Sequence, residues 1–560
     1  MENKPSESHG GDLPACAAEF VRQVVRKMRY RGKAAQDVQT ELTAHFEDEL
    51  HGCTDAQERQ QRAQRLIEQF GDAKLLAVLC RRAKKRCRPL WAKAIGRTAQ
   101  GIGVMLLLFI VYTAWFVLGK PSPSIDYLAL LNQMNRPQIV DRDNAWPRYE
   151  KAFAVLVDPN AERELVTALR WTDRPDLRGL ADLPVETQQL LRQWVAENEA
   201  AFQQFAAAAA RSYCYRQYTC YPTERQGWII DITLPHLSGF RTLGRLAVWR
   251  SLVDLERGDV PQAIADCLAA AQAGRHLQLS KTLIEQLVGL ALSDVGHEGI
   301  LRIVHRRNLS TAELANVQRE LSLLYSGQFP PVDIECERLA VLDTVQHVFT
   351  DTGPGGGHLA PASLSMLRTT VLTGEMTDFL ATDPLATAVS LLHAGRDQTV
   401  AKANWFFDQQ VKIAKLSPYE KHAAQTPGSE ELLKSIPEYR YAVLHMMVPA
   451  LDRVATLAFR GKAMHEATMT IVALQRYRAE KGAYPASLDE LKQAGYIDAL
   501  PADPYSNGPL VYKVIGDRFT LYSVGQDFRD DGGTSGKDRK GRRQMWDAET
   551  GDAVFWPGNP

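Results

Sequence analysis

Thr98 to Gly119 reads TAQGIGVMLLLFIVYTAWFVLG, 22 consecutive residues without a charged side chain. As an α-helix this stretch is roughly 33 Å long, against a bilayer hydrocarbon core of about 30 Å. Tyr112, Trp115 and Phe116 lie toward its far end, where amphipathic aromatic rings favour the membrane interface. A cleaved signal peptide would stand at the N-terminus, and here 97 residues come first. The stretch reads as one transmembrane helix, and it divides the chain.

The flanks set an orientation. Residues 81–97 contain Arg81, Arg82, Lys84, Lys85, Arg86, Arg88, Lys93 and Arg97 and no acid, whereas 120–136 contain only Lys120 and Arg136. That asymmetry places the N-terminus in the cytoplasm and residues 120–560 outside it. A basic run can bind nucleic acid. Beside a span, anionic lipid headgroups are the simpler partner for Arg81, Arg82, Lys84, Lys85, Arg86 and Arg88. The expected location is the bacterial inner membrane.

Composition agrees with a folded chain. The 560 residues are 45% hydrophobic and 24% charged, which excludes a mostly disordered, collagenous or multi-span protein. The net charge is zero, with 66 basic and 66 acidic residues, but it is unevenly shared. Residues 1–97 hold 19 basic and 13 acidic residues, net +6, leaving −6 for the rest.

Four short helices are expected over 17–88. Val38, Leu42, Phe46 and Leu50 recur every four residues, Thr54 to Gln57 has the pattern of a capping box, Gly71 suits a helix end, and Asp72 can cap the next helix. Glu41-Leu42, His45-Phe46-Glu47-Asp48 and Phe70-Gly71-Asp72, followed by Leu75-Leu76-Ala77, resemble the HAAS signalling domain, also called the permease prefix domain. The usual Pro after Gly-Asp is Ala73 here. The resemblance covers about 60 residues and implies a cytosolic regulatory bundle without catalytic residues.

Beyond the span, residues 120–447 are rich in Ala, Leu, Gln and Arg and read as an irregular helical array. One helix is expected over 189–211 and another over 311–325, capped by Ser310 and Glu313. Residues 243–271, with the Gly258-Asp259 turn and Ala263 and Ala270, resemble one tetratricopeptide hairpin. Arg275 stands where that motif has its Pro and Asp254 where it has an aromatic, and no second repeat follows. Tyr213, Tyr215, Tyr218, Tyr221 and Trp228 form an aromatic stretch, read as a loop packed on the helices. Cys214 and Cys220 lie within it, and an oxidising compartment favours a disulfide between them. Gly353 to Ser365 reads as an exposed connector, with no phosphate-loop or dinucleotide spacing.

A long helix is expected over 450–481, a short one after Ser487, a hairpin from 510–514 and 519–524, and a last strand over 553–556. Leu474-Gln475, Tyr477-Arg478, Gly482, Tyr484-Pro485, Leu500-Pro501, Asp503-Pro504-Tyr505 and Leu521 to Gly525 with Asp527 resemble the globular part of the major pseudopilin of type II secretion, over about 95 residues. The pilin signal and apolar pilin helix are missing. The resemblance implies a calcium site, for which Asp527, Asp530, Asp531 and Asp552 are the matching carboxylates. The whole combination is similar to large membrane-anchored proteins of planctomycete-like bacteria, a likeness that implies no particular activity.

The expected fold is mainly α, a helical bundle plus an irregular array, with one transmembrane helix and a small α+β C-terminal domain. Its expected pieces are 1–97, 98–119, 120–447 and 448–560. No HExxH, G-x-S-x-G, phosphate loop or Cys-x-x-Cys is present. The expected function is a single-pass envelope protein acting as an interaction or signalling module with protein partners, without a catalytic site or an organic cofactor. The alternatives are a structural component of a secretion or pilus-like assembly and a hydrolase without a recognisable motif.

Overall fold

The computed structural model describes residues 13–29, 32–86, 90–137, 143–157, 180–220, 228–325, 328–373, 384–448, 451–538, 541, 544–546 and 550–557. They are mainly helical, with one small sheet. The chain forms two compact units, Met1–Trp115 and Phe116–Pro560.

In the first unit, α1 (Ala15–Met28), α2 (Lys33–Leu50), α3 (Ala56–Phe70) and α4 (Ala73–Arg86) occupy the expected positions. Their apolar faces bury Phe20, Val24, Val38, Phe46 and Leu50 in one core, with Phe70 against it. Asp72 caps α4, its Oδ1 accepting the Lys74 N–H at 2.9 Å. The capping box at Thr54 does not form. Asp55 is the residue before α3, and no side chain closes that helix end.

Helix α5 (Leu90–Leu118) is continuous through the apolar stretch. Its residues 102–112 point outward, Leu107 and Phe109 being 61% and 65% exposed. Among the described residues, two stretches are long and apolar enough to cross a membrane, Ala94–Leu118 and Ala442–Lys481. They differ physically. The second includes the helix Leu451–Lys481, which carries Asp452, Arg460, Lys462, Glu466 and Arg476 and buries Ala467, Ile471, Val472 and Leu474 completely. It is a core helix of the second unit.

That unit is organised by three successive helices, His236–Glu256, Val260–Gln278 and Leu283–Arg306. Gly258 turns the chain at φ +82°, and Asp259 caps the next helix through the Gln262 N–H at 3.1 Å. The second and third helices touch backbone to backbone: a Cβ on Gly296 would lie 2.6 Å from Cys267 O. Helix Leu451–Lys481 then packs on Leu283–Arg306 and Thr311–Tyr325. Strands β1 (Val511–Ile515), β2 (Arg518–Ser523) and β3 (Ala553–Trp556) form an antiparallel sheet in that order. Leu292, Leu321, Ile471, Leu521 and Trp556 belong to one apolar cluster, so residues 448–560 share a core with the helical array.

Two further expectations are corrected by this unit. The helix expected over 189–211 is two helices, Val185–Glu197 and Glu199–Ala209. Asn198 breaks it: its Nδ2 donates to Trp194 O at 3.0 Å while its Oδ1 accepts the Val157 N–H at 2.8 Å. The stretch 353–365 is not an exposed connector throughout. Leu359, Ala360 and Leu364 are buried. Gly357, at φ +125°, leaves no room for a Cβ against Thr350 O.

Candidate functional site

A cleft of about 730 Å³ opens between the helices Thr311–Tyr325 and Leu451–Lys481 and the turn 495–501. Its position follows from spacing on one helix. Lys462, His465, Glu466 and Met469 recur at three and four residues and all line it. Gln318, Arg319 and Tyr325 line it from the other helix, and Arg476, Tyr496 and Asp498 line it too.

His465 is held from behind. Its Nδ1 lies 3.0 Å from His297 Nε2, and His297 Nδ1 lies 2.6 Å from Ser293 O. A carbonyl only accepts, so His297 Nδ1 carries the proton and donates. His297 Nε2 then accepts from His465 Nδ1–H, which leaves His465 Nε2 as an acceptor on a cleft-lining residue. Burial pushes His297 down to about 4. Burial, and then the nearby His297, hold His465 well below the ordinary imidazole range. Both rings are neutral at pH 7. The Tyr325 and His465 rings stand nearly perpendicular with centroids 4.7 Å apart, and the Tyr325 hydroxyl lies 3.2 Å from Gln278 Nε2, which donates to it.

Residues of both charges line the same cleft, among them Lys462, Glu466 and Asp498. Lys462 pairs with Glu466 at 3.7 Å, and Glu466 Oε2 accepts the Ala502 N–H at 2.7 Å. Burial raises the Glu466 carboxyl above its usual range. One turn before His297, Asp294 Oδ1 is buried without a hydrogen-bond partner. Burial, and then Glu298, push Asp294 up to about 8. The cleft therefore offers an imidazole acceptor, cationic donors and carboxylates over a partly apolar floor, which suits a polar ligand that brings both donors and acceptors.

No family model, curated protein or solved structure matches this chain.

The sites expected from sequence lie elsewhere. The aromatic stretch packs as a loop: Tyr213, Tyr218 and Trp228 are buried, while Tyr221 lies outside the described residues. Paired amide bonds hold its backbone, Asn144 to Tyr215 and Asn132 to Tyr218. Cys214 and Cys220 are both free thiols, which corrects the expected disulfide. Cys214 packs on the main core, and Cys220 Sγ donates to Trp228 O at 2.9 Å.

Three of the four aspartates accept hydrogen bonds from the protein itself, and the fourth, Asp531, is exposed. Asp552 is fully buried and accepts the amides of Asp531, Gly533 and Thr534 at 3.2, 2.6 and 3.2 Å. Asp530 accepts from the Tyr522 hydroxyl at 2.6 Å, and Asp527 from the amides of Arg529 and Gly551 at 3.1 and 3.3 Å. The Asp530 and Asp531 charges act on Asp552, and among the described residues no group of three or more His, Cys, Asp or Glu side chains is arranged to hold a metal ion. In the basic flank, Arg81 and Arg82 are exposed, whereas Lys84 turns back to Asp37 and Glu41 at 3.5 and 3.7 Å. The side chains of Lys85, Arg86 and Arg88 lie outside the described residues.

Glu285 is a residue that the sequence reading missed. It is 1% exposed and accepts from Tyr218 Oη, Thr282 Oγ1 and His236 Nε2 at 2.7, 2.7 and 3.1 Å, with Arg216 Nε at 3.5 Å. Arg216 lies over the Trp146 and Tyr218 rings. This buried hub ties the aromatic loop to the core.

Proposed function

We propose that the chain is a single-pass, membrane-anchored envelope protein that acts as an interaction and signalling module, with its small bundle in the cytoplasm and its larger unit outside. The observation that supports this reading is α5: its apolar side chains stay exposed along residues 102–112, and exposed apolar surface of that extent calls for a nonpolar environment. The basic residues before it fit anionic headgroups. The cleft around His465 is the place for a polar ligand or a segment of a protein partner. The resemblances to the HAAS and tetratricopeptide families point the same way.

A second reading, a structural component of a secretion or pilus-like assembly, draws on the order of the helix Leu451–Lys481 and strands β1 to β3, which follows the pseudopilin resemblance. Topology and partners test both. Reporter fusions at residues 90 and 140 are expected to be active on the cytoplasmic and external sides respectively, and the reverse pattern sinks the orientation. A photo-crosslinker at Arg319, on the cleft wall, is expected to capture an envelope protein. Capture of secretion or pilus subunits selects the second reading, and no cleft-dependent adduct removes the cleft from either.

A further inference from the structure

The helix Pro384–Leu392 has an apolar face turned outward. Leu385 and Leu392 stand seven residues apart, on one face of a helix. They are 57% and 62% exposed, and Leu391 beside them is 55% exposed. Ala388, between them, is exposed too, so this face presents Leu, Ala, Leu and Leu and no polar side chain. The opposite face is committed to the fold: Ala386 and Val389 pack in a cluster with Val348, Phe349 and Leu359.

Its place in the chain gives this face a meaning. Past the end of the helix, the Arg396 N–H donates to Gly357 O at 3.1 Å. The next residue after Gly357 is His358, which stacks on Phe116 with ring centroids 4.5 Å apart and places Nε2 2.9 Å from Phe116 O. Phe116 is in the last turn of α5. The segment that follows the exposed leucines is thus bonded, through a short glycine loop, to Phe116 in the last turn of α5. The Ala394 N–H donates to Arg440 O at 2.9 Å, which sets Tyr439, 59% exposed, near the same end. Tyrosine is a residue of membrane interfaces.

We propose that the Pro384–Leu392 helix docks on the phospholipid surface where α5 leaves it, with Leu385, Leu391 and Leu392 entering the headgroup and acyl boundary. The proposal rests on the reading of α5 as an anchor. So small an apolar patch binds a bilayer weakly alone. Tethered by α5, it meets the surface at high effective concentration, and the docked helix fixes how the external unit sits on the membrane.

The test uses the full chain in phosphatidylcholine and phosphatidylglycerol nanodiscs that contain a phospholipid with a photoactivatable diazirine on its acyl chain. After photolysis and digestion, lipid adducts are expected in peptides from both 98–118 and 384–393. The double variant Leu391→Ser with Leu392→Ser, both exposed, is expected to lose at least three quarters of the second adduct and keep the first. Adducts in 98–118 with none in 384–393 overturn the docking and leave the anchor standing. No adduct in 98–118 overturns the anchor, and the docking premise with it. A double variant that keeps its full 384–393 adduct shows that these leucines are not what enters the lipid.

Discussion

The Tyr218 hydroxyl donates to Glu285 Oε2 at 2.7 Å, across 67 residues of sequence. Burial alone would raise the Glu285 carboxyl, but hydrogen bonds from His236 and Tyr218, the Arg216 charge and the Thr282 hydroxyl outweigh it and hold it below its usual range. Removing the carboxylate orphans several buried donors and leaves Arg216, which has a buried unpaired Nη2 already, without its counter-charge. Glu285→Ala is expected to cost about 3–5 kcal/mol, and Glu285→Gln less, since it keeps one acceptor. Thermal melts of the two variants check this. Equal, small losses would mean that the hub is not a structural tie.

Asp294 provides a pH-dependent prediction. Its carboxyl is raised from 3.8 to about 8 by burial and Glu298. Between those values the folded chain holds a proton that the unfolded chain releases, so this group's contribution falls as pH rises. Asp294→Asn removes that loss. The variant is expected to gain on the wild type by about 1.4 kcal/mol per pH unit between about pH 4 and 8. Denaturation at pH 5, 6 and 7 measures the difference. A difference constant with pH would place the carboxyl in an ordinary, solvated environment.

What could be read in advance was local. Asp259, Asp72 and the turn between the two expected hairpin strands act on neighbours within a few residues, and their helices and hairpin lie where the sequence puts them. The break at Asn198 depends on the Val157 N–H, 41 residues away, and nothing near Asn198 announces it. Glu285 is equally opaque, because His236, Tyr218 and Arg216 reach it from other elements. The Lys462, His465, Glu466 and Met469 face is visible as spacing. Spacing alone gives no sign that it lines a cleft instead of solvent, since His297, which orients His465, lies 168 residues earlier.

The two cysteines of the aromatic loop should be separate thiols. Protein unfolded without reductant is expected to take up two alkyl groups at Cys214 and Cys220, with no disulfide-linked peptide in the digest. In the folded state Cys214 is expected to react slowly, because burial pushes its thiol far above the usual range. A linked peptide recovered before reduction would refute the prediction.

In the last loop, Asp552 is expected to matter more than Asp527. Asp552→Ala leaves the amides of Asp531, Gly533 and Thr534 without their acceptor in a buried setting, at a cost of about 1–3 kcal/mol. Asp527 accepts two amides, one of them exposed, and Asp527→Ala should cost less. The same ranking should appear in hydrogen exchange of the 531–534 amides, which Asp552→Ala speeds up. Reversed ranks would indicate that the loop is organised around Asp527.

Gly296 sets two known effects against each other. Replacing a helical Gly with Ala normally gains about 0.5–1 kcal/mol. Here the new Cβ would lie 2.6 Å from Cys267 O, 2.8 Å from Ala271 N and 2.9 Å from Ala271 Cβ. Two of those atoms are backbone, and they belong to the helix that Leu283–Arg306 grips most closely, so they cannot swing aside. Overpacking of this kind costs about 1–3 kcal/mol or more, and it outweighs the propensity gain. Gly296→Ala is therefore expected to lower the melting temperature. Gly96→Ala, with nothing within 4 Å of the added carbon, is expected to leave it unchanged or raise it. A stable Gly296→Ala would mean that the two helices stand further apart than their glycines indicate.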